Sequence, residues 1–302
     1  MAKLSVEGKN YIYKSCPLCN GSSFKPFLLQ GGMDIVKCTW CSMVFKNPQP
    51  TEKFLEENIN FEESQKREIK DCNAMNKAIL QEIKKTGQKN LSLLDIDCCD
   101  SRLLSDLSLE GVDVHSVVRN SDIAESLKEE TGLKSITVGN FDEISFSRKE
   151  IDVVLCRFSF ERSFNPRETL MVAHRLLKEN GRIIIVTNNL LNRRMTGKIW
   201  KGFSIPEQLF YYSPSSLRAI LSEGRFSFNK VLSYPNFIVK NKVISQVNTL
   251  AANVSGLGYY LIATGLKRTI NLKLTDLKKN ESSVFVFAKP QVTQKNMKEK
   301  ID

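Results

Sequence analysis

Four of the eight cysteines in this 302-residue chain are spaced to hold a metal ion. "CPLC" carries Cys16 and Cys19, and "CTWC" carries Cys38 and Cys41, with residues 20–37 between the two pairs. A C-x2-C hairpin sets two thiolates on one side of a tight turn. Two such knuckles facing each other supply the tetrahedral sulfur shell that zinc prefers. The intervening "NGSSFKPFLLQGGMDIVK" reads as two short strands broken at Gly31-Gly32, the ribbon such a site needs. A pair of disulfides is the competing reading, and a reducing compartment disfavours it. With all four ligands cysteine, no coordination position is left for water, so the expected ion is structural rather than catalytic.

A second stretch with chemical content is "LLDIDCCDSRLL", residues 93–104. A short apolar strand carries the acid Asp95 and enters a tight turn before another apolar run. At such junctions α/β enzymes usually keep glycines, because a ligand must lie against bare backbone. Here the corresponding positions are Asp97, Cys99 and Ser101. The Cys98-Cys99 pair is a weak candidate for a second metal or redox site, since adjacent side chains at a strand end diverge.

The elements that must position these residues are legible from periodicity and punctuation. Apolar residues at Ile69, Cys72, Met75, Ile79 and Ile83 mark a helical stripe within 62–86. From there strands and helices alternate: strands at "LSLLDI", 112–118, "SITVGN", 151–158 and 182–189, and helices at 101–109 and 121–132. Asn165 and Pro166 open a further helix whose apolar face is Leu170, Ala173 and Leu177, with Gly181 past its end. Such alternation predicts an α/β fold, a mostly parallel sheet with helices on both faces. "FSFNKVLSY" and 282–290 alternate as strands and predict an antiparallel edge strand.

Composition is that of a globular protein, with 41% apolar and 25% charged residues. The first fifteen residues lack the apolar core of a secretory signal, and no apolar run is long enough to span a membrane, so a cytoplasmic location is expected. The net charge of +11 points to acidic partners or to a lysine-rich solvated surface. No long basic run or arginine-rich arm is present, which disfavours a zinc-ribbon nucleic-acid binder, a third reading of the chain. Residues 243–266 contain no charged side chain but are interrupted by Ser, Gln, Asn and Thr. They read as packed helices, or as a peripheral contact with lipid flanked by Lys240, Lys242, Lys267 and Arg268.

The four-cysteine ribbon, the prolines of "NPQP" (47–50), a helix and a sheet opening on "LLDI" together resemble one family. It is the Rossmann-like, class I S-adenosylmethionine-dependent methyltransferases that carry an N-terminal zinc ribbon. "KCTWCSMVFKNPQPT", "IDVVLC", "NPRETLMVAHRLLKENGRIIIVTNN" and "IPEQLFYYSPSSLRAILSEGRF" carry the likeness. The implied organisation is a zinc ribbon and linker over 1–50, the methyltransferase core over 51–235, and a helical segment, edge strand and basic tail over 236–302. The resemblance also implies roles, residue by residue. Asp95 matches the acid that opens the cofactor loop, and Asp97, Cys99 and Ser101 stand where the family has glycines. Val118 stands at the end of the second strand, where the family has an acid that accepts from both ribose hydroxyls. Asn140 matches an Asp facing the adenine amino group. Glu161-Arg162 matches an "EH" pair, and Gln208 a histidine.

These substitutions predict impaired cofactor binding. Each lost charge-assisted hydrogen bond to the ribose costs about 1.5–3 kcal/mol, and a few kcal/mol is two or more decades of affinity. Asp97 would also set a negative charge near the cofactor's methionyl carboxylate. The two histidines, His115 and His174, are expected to be structural. One reading is therefore an atypical methyltransferase acting on a small molecule or glycan, with Trp200, Phe203, Glu207, Gln208, Tyr211 and Tyr212 lining the acceptor pocket. The alternative is a silent member of the fold that binds or stabilises a protein partner.

Overall fold

Residues 151–157, "IDVVLCR", are buried from end to end, and the fold is arranged around the strand they form. The structure is a computed structural model that describes residues 10–30, 33–58, 73–84, 90–97, 101–141, 149–190, 207–235 and 282–290. The chain opens with five short strands: β1 (Tyr11–Ile12), β2 (Phe24–Gln30), β3 (Met33–Cys38), β4 (Val44–Lys46) and β5 (Gln49–Pro50). Helix α1 (Glu52–Asn58) and helix α2 (Asn73–Lys84) follow. Met75, Ile79 and Ile83 of the expected stripe are buried on α2; Ile69 and Cys72 lie outside the described residues.

The main sheet then forms by alternation: β6 (Ser92–Ile96), α3 (Ser101–Leu109), β7 (Asp113–Val118), α4 (Ser121–Thr131), β8 (Ser135–Val138), β9 (Ile151–Arg157), α5 (Pro166–Leu176) and β10 (Leu177–Asn188). The described chain continues with β11 (Phe210–Tyr211), α6 (Pro214–Glu223), β12 (Phe226–Pro235) and β13 (Ser282–Pro290). Seven strands pair in the order β12-β13-β10-β9-β6-β7-β8. The pairings from β10 through β8 are all parallel, whereas β13 runs antiparallel to both β10 and β12. Helices α3 and α4 pack on each other, as do α5 and α6. Right-handed crossovers running in opposite directions from β6 and β9 put these two pairs on opposite faces of the sheet.

The helix ends follow the local chemistry. Asn120 caps α4 by accepting from the Ile123 N–H, and Gly132 closes it in the left-handed conformation, φ 68°. Asn165 and Pro166 open α5 as expected, and Ser213 and Ser216 form a reciprocal box around Pro214 at the start of α6.

The antiparallel edge expected of "FSFNKVLSY" and 282–290 is present: β13 lies between β10 and β12, antiparallel to both, and β12 takes the edge. The insertion of β13 pairs residues about a hundred positions apart, such as Ile184 with Phe287, which no local pattern reports. Two other expectations need correction. Helix α5 ends at Leu176, and Gly181 lies within β10, where a Cβ would sit 2.9 Å from the Lys178 carbonyl oxygen. Gly181 therefore serves a close backbone approach, at the register shift between Leu177 and Arg182. The "NPQP" segment is packed rather than free: β5 pairs with β1, and Asn47 exchanges two hydrogen bonds with the Lys14 backbone at 3.0 and 3.1 Å. Among the described residues no helix is long and apolar enough to cross a membrane, and residues 243–266 lie outside them.

Candidate functional site: a cysteine knuckle and a cleft at the strand ends

The four knuckle cysteines come together. Their sulfur atoms all lie within 4.8 Å of one another, with Cys16 to Cys41 at 3.4 Å and Cys19 to Cys38 at 3.5 Å. A tetrahedral ion with bonds of about 2.3 Å needs ligand sulfurs roughly 3.8 Å apart, so the cluster could hold a metal ion with little adjustment. Burial raises the Cys38 thiol, but the N–H groups of Cys41 and Trp40 and the neighbouring thiols outweigh it and bring it down to about 7. Burial pushes the Cys16 thiol up instead. From the sheet, Arg167 of α5 grips the first knuckle, its Nε donating to the Pro17 carbonyl at 2.8 Å and its Nη2 to that of Leu18 at 2.6 Å.

At the C-terminal ends of β6, β7 and β9 lies a cleft of ≈ 200 Å³. Open α/β sheets bind ligands at this end, where the strand order reverses. Backbone bonds assemble its floor: the Asp97 N–H donates to the Val117 carbonyl at 2.7 Å, and that of Gly139 to Val118 at 2.9 Å. Asp97, Val118 and Asn140, three of the expected cofactor positions, line it. Asp95 is buried beneath, where its charge and that of Glu161 add to burial in raising the Cys156 thiol. Ser101 turns away, its hydroxyl donating to Glu130 on α4. Cys99 lies outside the described residues.

Asp97 takes a turn in the left-handed region that favours glycine, with φ 60°. Asp tolerates this left-handed region better than most residues, at a cost of about 1–2 kcal/mol. Its charge is not left bare, as the sequence alone suggested. Arg119, the residue after Val118, donates from Nε to Asp97 Oδ2 at 2.8 Å, and its Nη2 reaches the Arg162 carbonyl at 3.4 Å. Nothing in the local sequence announced this pair. Cys156 at the end of β9, Ser159 just beyond it and Phe160 in the turn that follows also line the cleft and were not among the expected site residues, because only the packing of β9 beside β6 brings them there.

The residues expected at an acceptor pocket are gathered in a different place. Glu207, Gln208, Tyr211 and Tyr212 are all buried, and none lines the cleft. Strand β11 pairs with β4, so this segment adds a strand to the four-stranded ribbon sheet, in the order β11-β4-β3-β2. The seam is built from backbone bonds in series: Lys46 N–H to the Leu209 carbonyl, and Leu209 N–H to the Glu161 carbonyl, both 2.9 Å. Phe160, in the 3-10 turn Phe160–Arg162, stacks on Tyr212 with ring centroids 5.2 Å apart. The seam also buries charge, with Arg162 and Glu207 4.0 Å apart and both almost fully enclosed. Lys46 is enclosed beside them. Burial lowers its ammonium to about 8 against the opposing pull of Glu207. Trp200 and Phe203 lie outside the described residues.

Neither histidine reaches the cleft. His115 contacts Ser135 Oγ at 2.6 Å and Asp113 Oδ2 at 3.1 Å, and His174 packs edge-on against Phe226.

Comparison with known proteins agrees with this architecture. No curated protein matches the chain. Among solved structures, a Burkholderia thailandensis 1,6-didemethyltoxoflavin-N1-methyltransferase, bound to 1,6-didemethyltoxoflavin and S-adenosylhomocysteine, superposes with a TM-score of 0.53 at 12% identity, covering 89% of this chain and 100% of that one. Haemonchus contortus phosphoethanolamine N-methyltransferase 2 in complex with S-adenosyl-L-methionine gives 0.50 at 16% identity, covering 88% and 71%. A chain of the complex between the Haloferax volcanii Trm112 methyltransferase activator and a methyltransferase gives 0.50 at 12%, covering 68% and 85%. At these identities the likeness is one of fold. The family described as "Methyltransferase domain" matches residues 66–227, which span β6 to β10, the cleft and the β11 seam. More than half of the chain is thus matched, and the protein belongs to this methyltransferase-domain family, on the Rossmann-like fold of the class I methyltransferases.

Proposed function

We propose that this protein is a methyltransferase of atypical cofactor site, which holds S-adenosylmethionine weakly and acts on a small molecule or glycan. Val118 carries the reading: it is buried and apolar at the end of β7, where the family presents an acid to the ribose. The cleft volume of ≈ 200 Å³ supports it, since pockets for drug-sized ligands usually enclose about 300–1,000 Å³. The remaining lining still suits a nucleoside in part, with Asn140 as a polar contact and Ile96, Val117 and Phe141 as apolar walls. When bound, the cofactor supplies an electrophilic methyl group, and alignment by the cleft carries much of the rate. No histidine at the cleft favours an acceptor that needs no strong base. The acceptor contacts fall to Trp200 and Phe203, because Glu207, Gln208, Tyr211 and Tyr212 belong to the ribbon seam. In the ribbon, the four thiolates of Cys16, Cys19, Cys38 and Cys41 hold a structural zinc ion.

Calorimetric titration with S-adenosylmethionine and S-adenosylhomocysteine tests this reading. Dissociation constants between tens of micromolar and a few millimolar are expected. Low-micromolar binding would show that the cleft compensates fully. No heat at 10 mM would favour a second reading, a silent methyltransferase fold that serves a protein partner, for which the Asp97–Arg119 pair at the cleft is the supporting observation.

A further inference from the structure

We propose that Asp97 is the cleft's hydroxyl acceptor, taking over from the neighbouring strand the role that Val118 cannot fill. The inference rests on the reading of the cleft as a nucleoside-cofactor site, and it concerns which residue of this chain meets the sugar.

Asp97 is 6% exposed, yet it lines the cleft. Its two carboxylate oxygens have different surroundings. Oδ2 receives the Arg119 guanidinium at 2.8 Å, whereas Oδ1 is enclosed and has no hydrogen-bond partner among the described residues. A buried carboxylate oxygen without a donor is costly, and such an atom beside a cavity is expected to find its donor in the occupant. Arg119 fixes the carboxylate in one orientation, so Oδ1 need not be ordered when a ligand enters.

The chemistry of the pair selects the kind of donor. Asp97 and Arg119 are together neutral, so a cationic group gains little from Oδ1, while a neutral hydroxyl gains a charge-assisted hydrogen bond. The position also suits a sugar. Asp97 is bonded through its N–H to the Val117 carbonyl, which places its side chain at the cleft end of β6, beside the β7 terminus that carries Val118. Ser159, across the cleft on the β9 side and next to the Cys156 thiol, offers a second enclosed oxygen. Apolar walls at Val117 and Phe141 with two enclosed oxygens fit a flat base joined to a hydroxyl-bearing ring better than an extended aliphatic chain.

The test compares S-adenosylhomocysteine with its 2′,3′-dideoxy analogue on the full-length, wild-type protein, by chemical-shift titration, which reads millimolar affinities. Wild type should prefer the hydroxyl-bearing ligand by about tenfold, the value of one such hydrogen bond. Asp97→Asn, which keeps the shape but turns an amide N–H toward the ligand, should bind the two nearly alike. Equal binding of both ligands by wild type, or unchanged discrimination in Asp97→Asn, would overturn the assignment while leaving the cofactor cleft standing. No binding of either ligand at 10 mM would remove the cofactor reading and this inference together.

Discussion

Arg119 reaches back from the end of β7 to Asp97 at the end of β6, closing an Nε-to-Oδ2 contact of 2.8 Å at the cleft. The guanidinium is 19% exposed and the carboxylate 6%, so the pair is largely shielded from water. In the proposed match to the family's cofactor loop, the relationship links two departures: an acid in place of a loop glycine, and a base after the position expected to hold the family's acid. Charge removed from one strand end reappears at the neighbouring one, with its counter-ion supplied.

Arg119→Ala should therefore be more damaging than its partly exposed position suggests. It leaves Asp97 charged and enclosed, which costs roughly 3 kcal/mol. Asp97→Gly alone should cost less, because the φ of 60° suits glycine. In Asp97→Gly/Arg119→Ala most of the loss should be recovered. Urea denaturation of the four proteins closes the cycle; additive losses would show that the pair is not coupled.

This pair also marks the boundary of what the residues disclose by themselves. The parallel sheet, the caps at Asn120 and Asn165 and the cysteine knuckles were legible because each is written in a short window of the chain. Asp97 and Arg119 lie twenty-two positions apart, and neither belongs to a periodic pattern. The joint burial of Lys46, Arg162 and Glu207 is written in no short window either, since only the docking of the ribbon onto the sheet encloses them. Strand β11 is two residues long, too short to show alternation, and it is defined by its partner β4. What could not be read is what depends on contacts between distant segments.

Rebuilding the family pattern should tighten cofactor binding, provided both strand ends are changed together. Val118→Asp alone would set a second carboxylate beside Asp97 with one guanidinium between them. Val118→Asp with Asp97→Gly restores one acid and one glycine. Two ribose hydrogen bonds to the new acid should lower the dissociation constant for S-adenosylhomocysteine by about tenfold or more relative to wild type. Calorimetry measures it directly. No gain in this double variant, if it melts like wild type, would break the alignment of residues 93–118 with the family's cofactor loop.

The knuckle should matter beyond its own sheet. Cys38→Ser removes one of four sulfur ligands and should weaken zinc retention by more than the about 10–100-fold that outer-shell changes produce. Atomic emission on the purified protein reads the metal content directly. Because β4 carries β11, and Tyr212 just beyond it stacks on the cleft residue Phe160, zinc loss should also weaken S-adenosylhomocysteine binding. Stoichiometric zinc in Cys38→Ser would rule out the four-sulfur shell, and unchanged ligand affinity after metal loss would sever the link to the cleft.

The seam should carry a pH signature through Lys46. Its ammonium is lowered from 10.5 to about 8 because burial disfavours the charged form, while Glu207 opposes the shift. In the unfolded chain the same group stays protonated to about 10.5. Below pH 8 the lysine is charged in both states, and folding bears the full cost of enclosing the charge. Between pH 8 and 10.5 the folded state sheds its proton while the unfolded state keeps it, so this group makes stability rise with pH across that window. The buried Tyr211 and Tyr212, both raised above 10 by burial, act in the other direction only once unfolded tyrosine begins to ionise, near pH 10. The Cys156 and Cys16 thiols, raised above 9 by burial, oppose the rise earlier, as unfolded cysteine ionises, so the Lys46 contribution is the difference in pH slope between wild type and Lys46→Met from pH 8 to 9.5. Lys46→Met keeps the length of the chain without the charge and should show the smaller or more negative slope. At pH 7 it also removes the enclosed ammonium but leaves Glu207 with Arg162 as its opposite charge at 4.0 Å. Because Arg162 remains, Lys46→Met should be at least as stable as wild type at pH 7, by denaturant midpoint. A variant clearly less stable at pH 7 would mean that the ammonium is needed in the seam rather than tolerated there, and a pH slope identical in the two proteins would mean that Lys46 keeps its proton across the window.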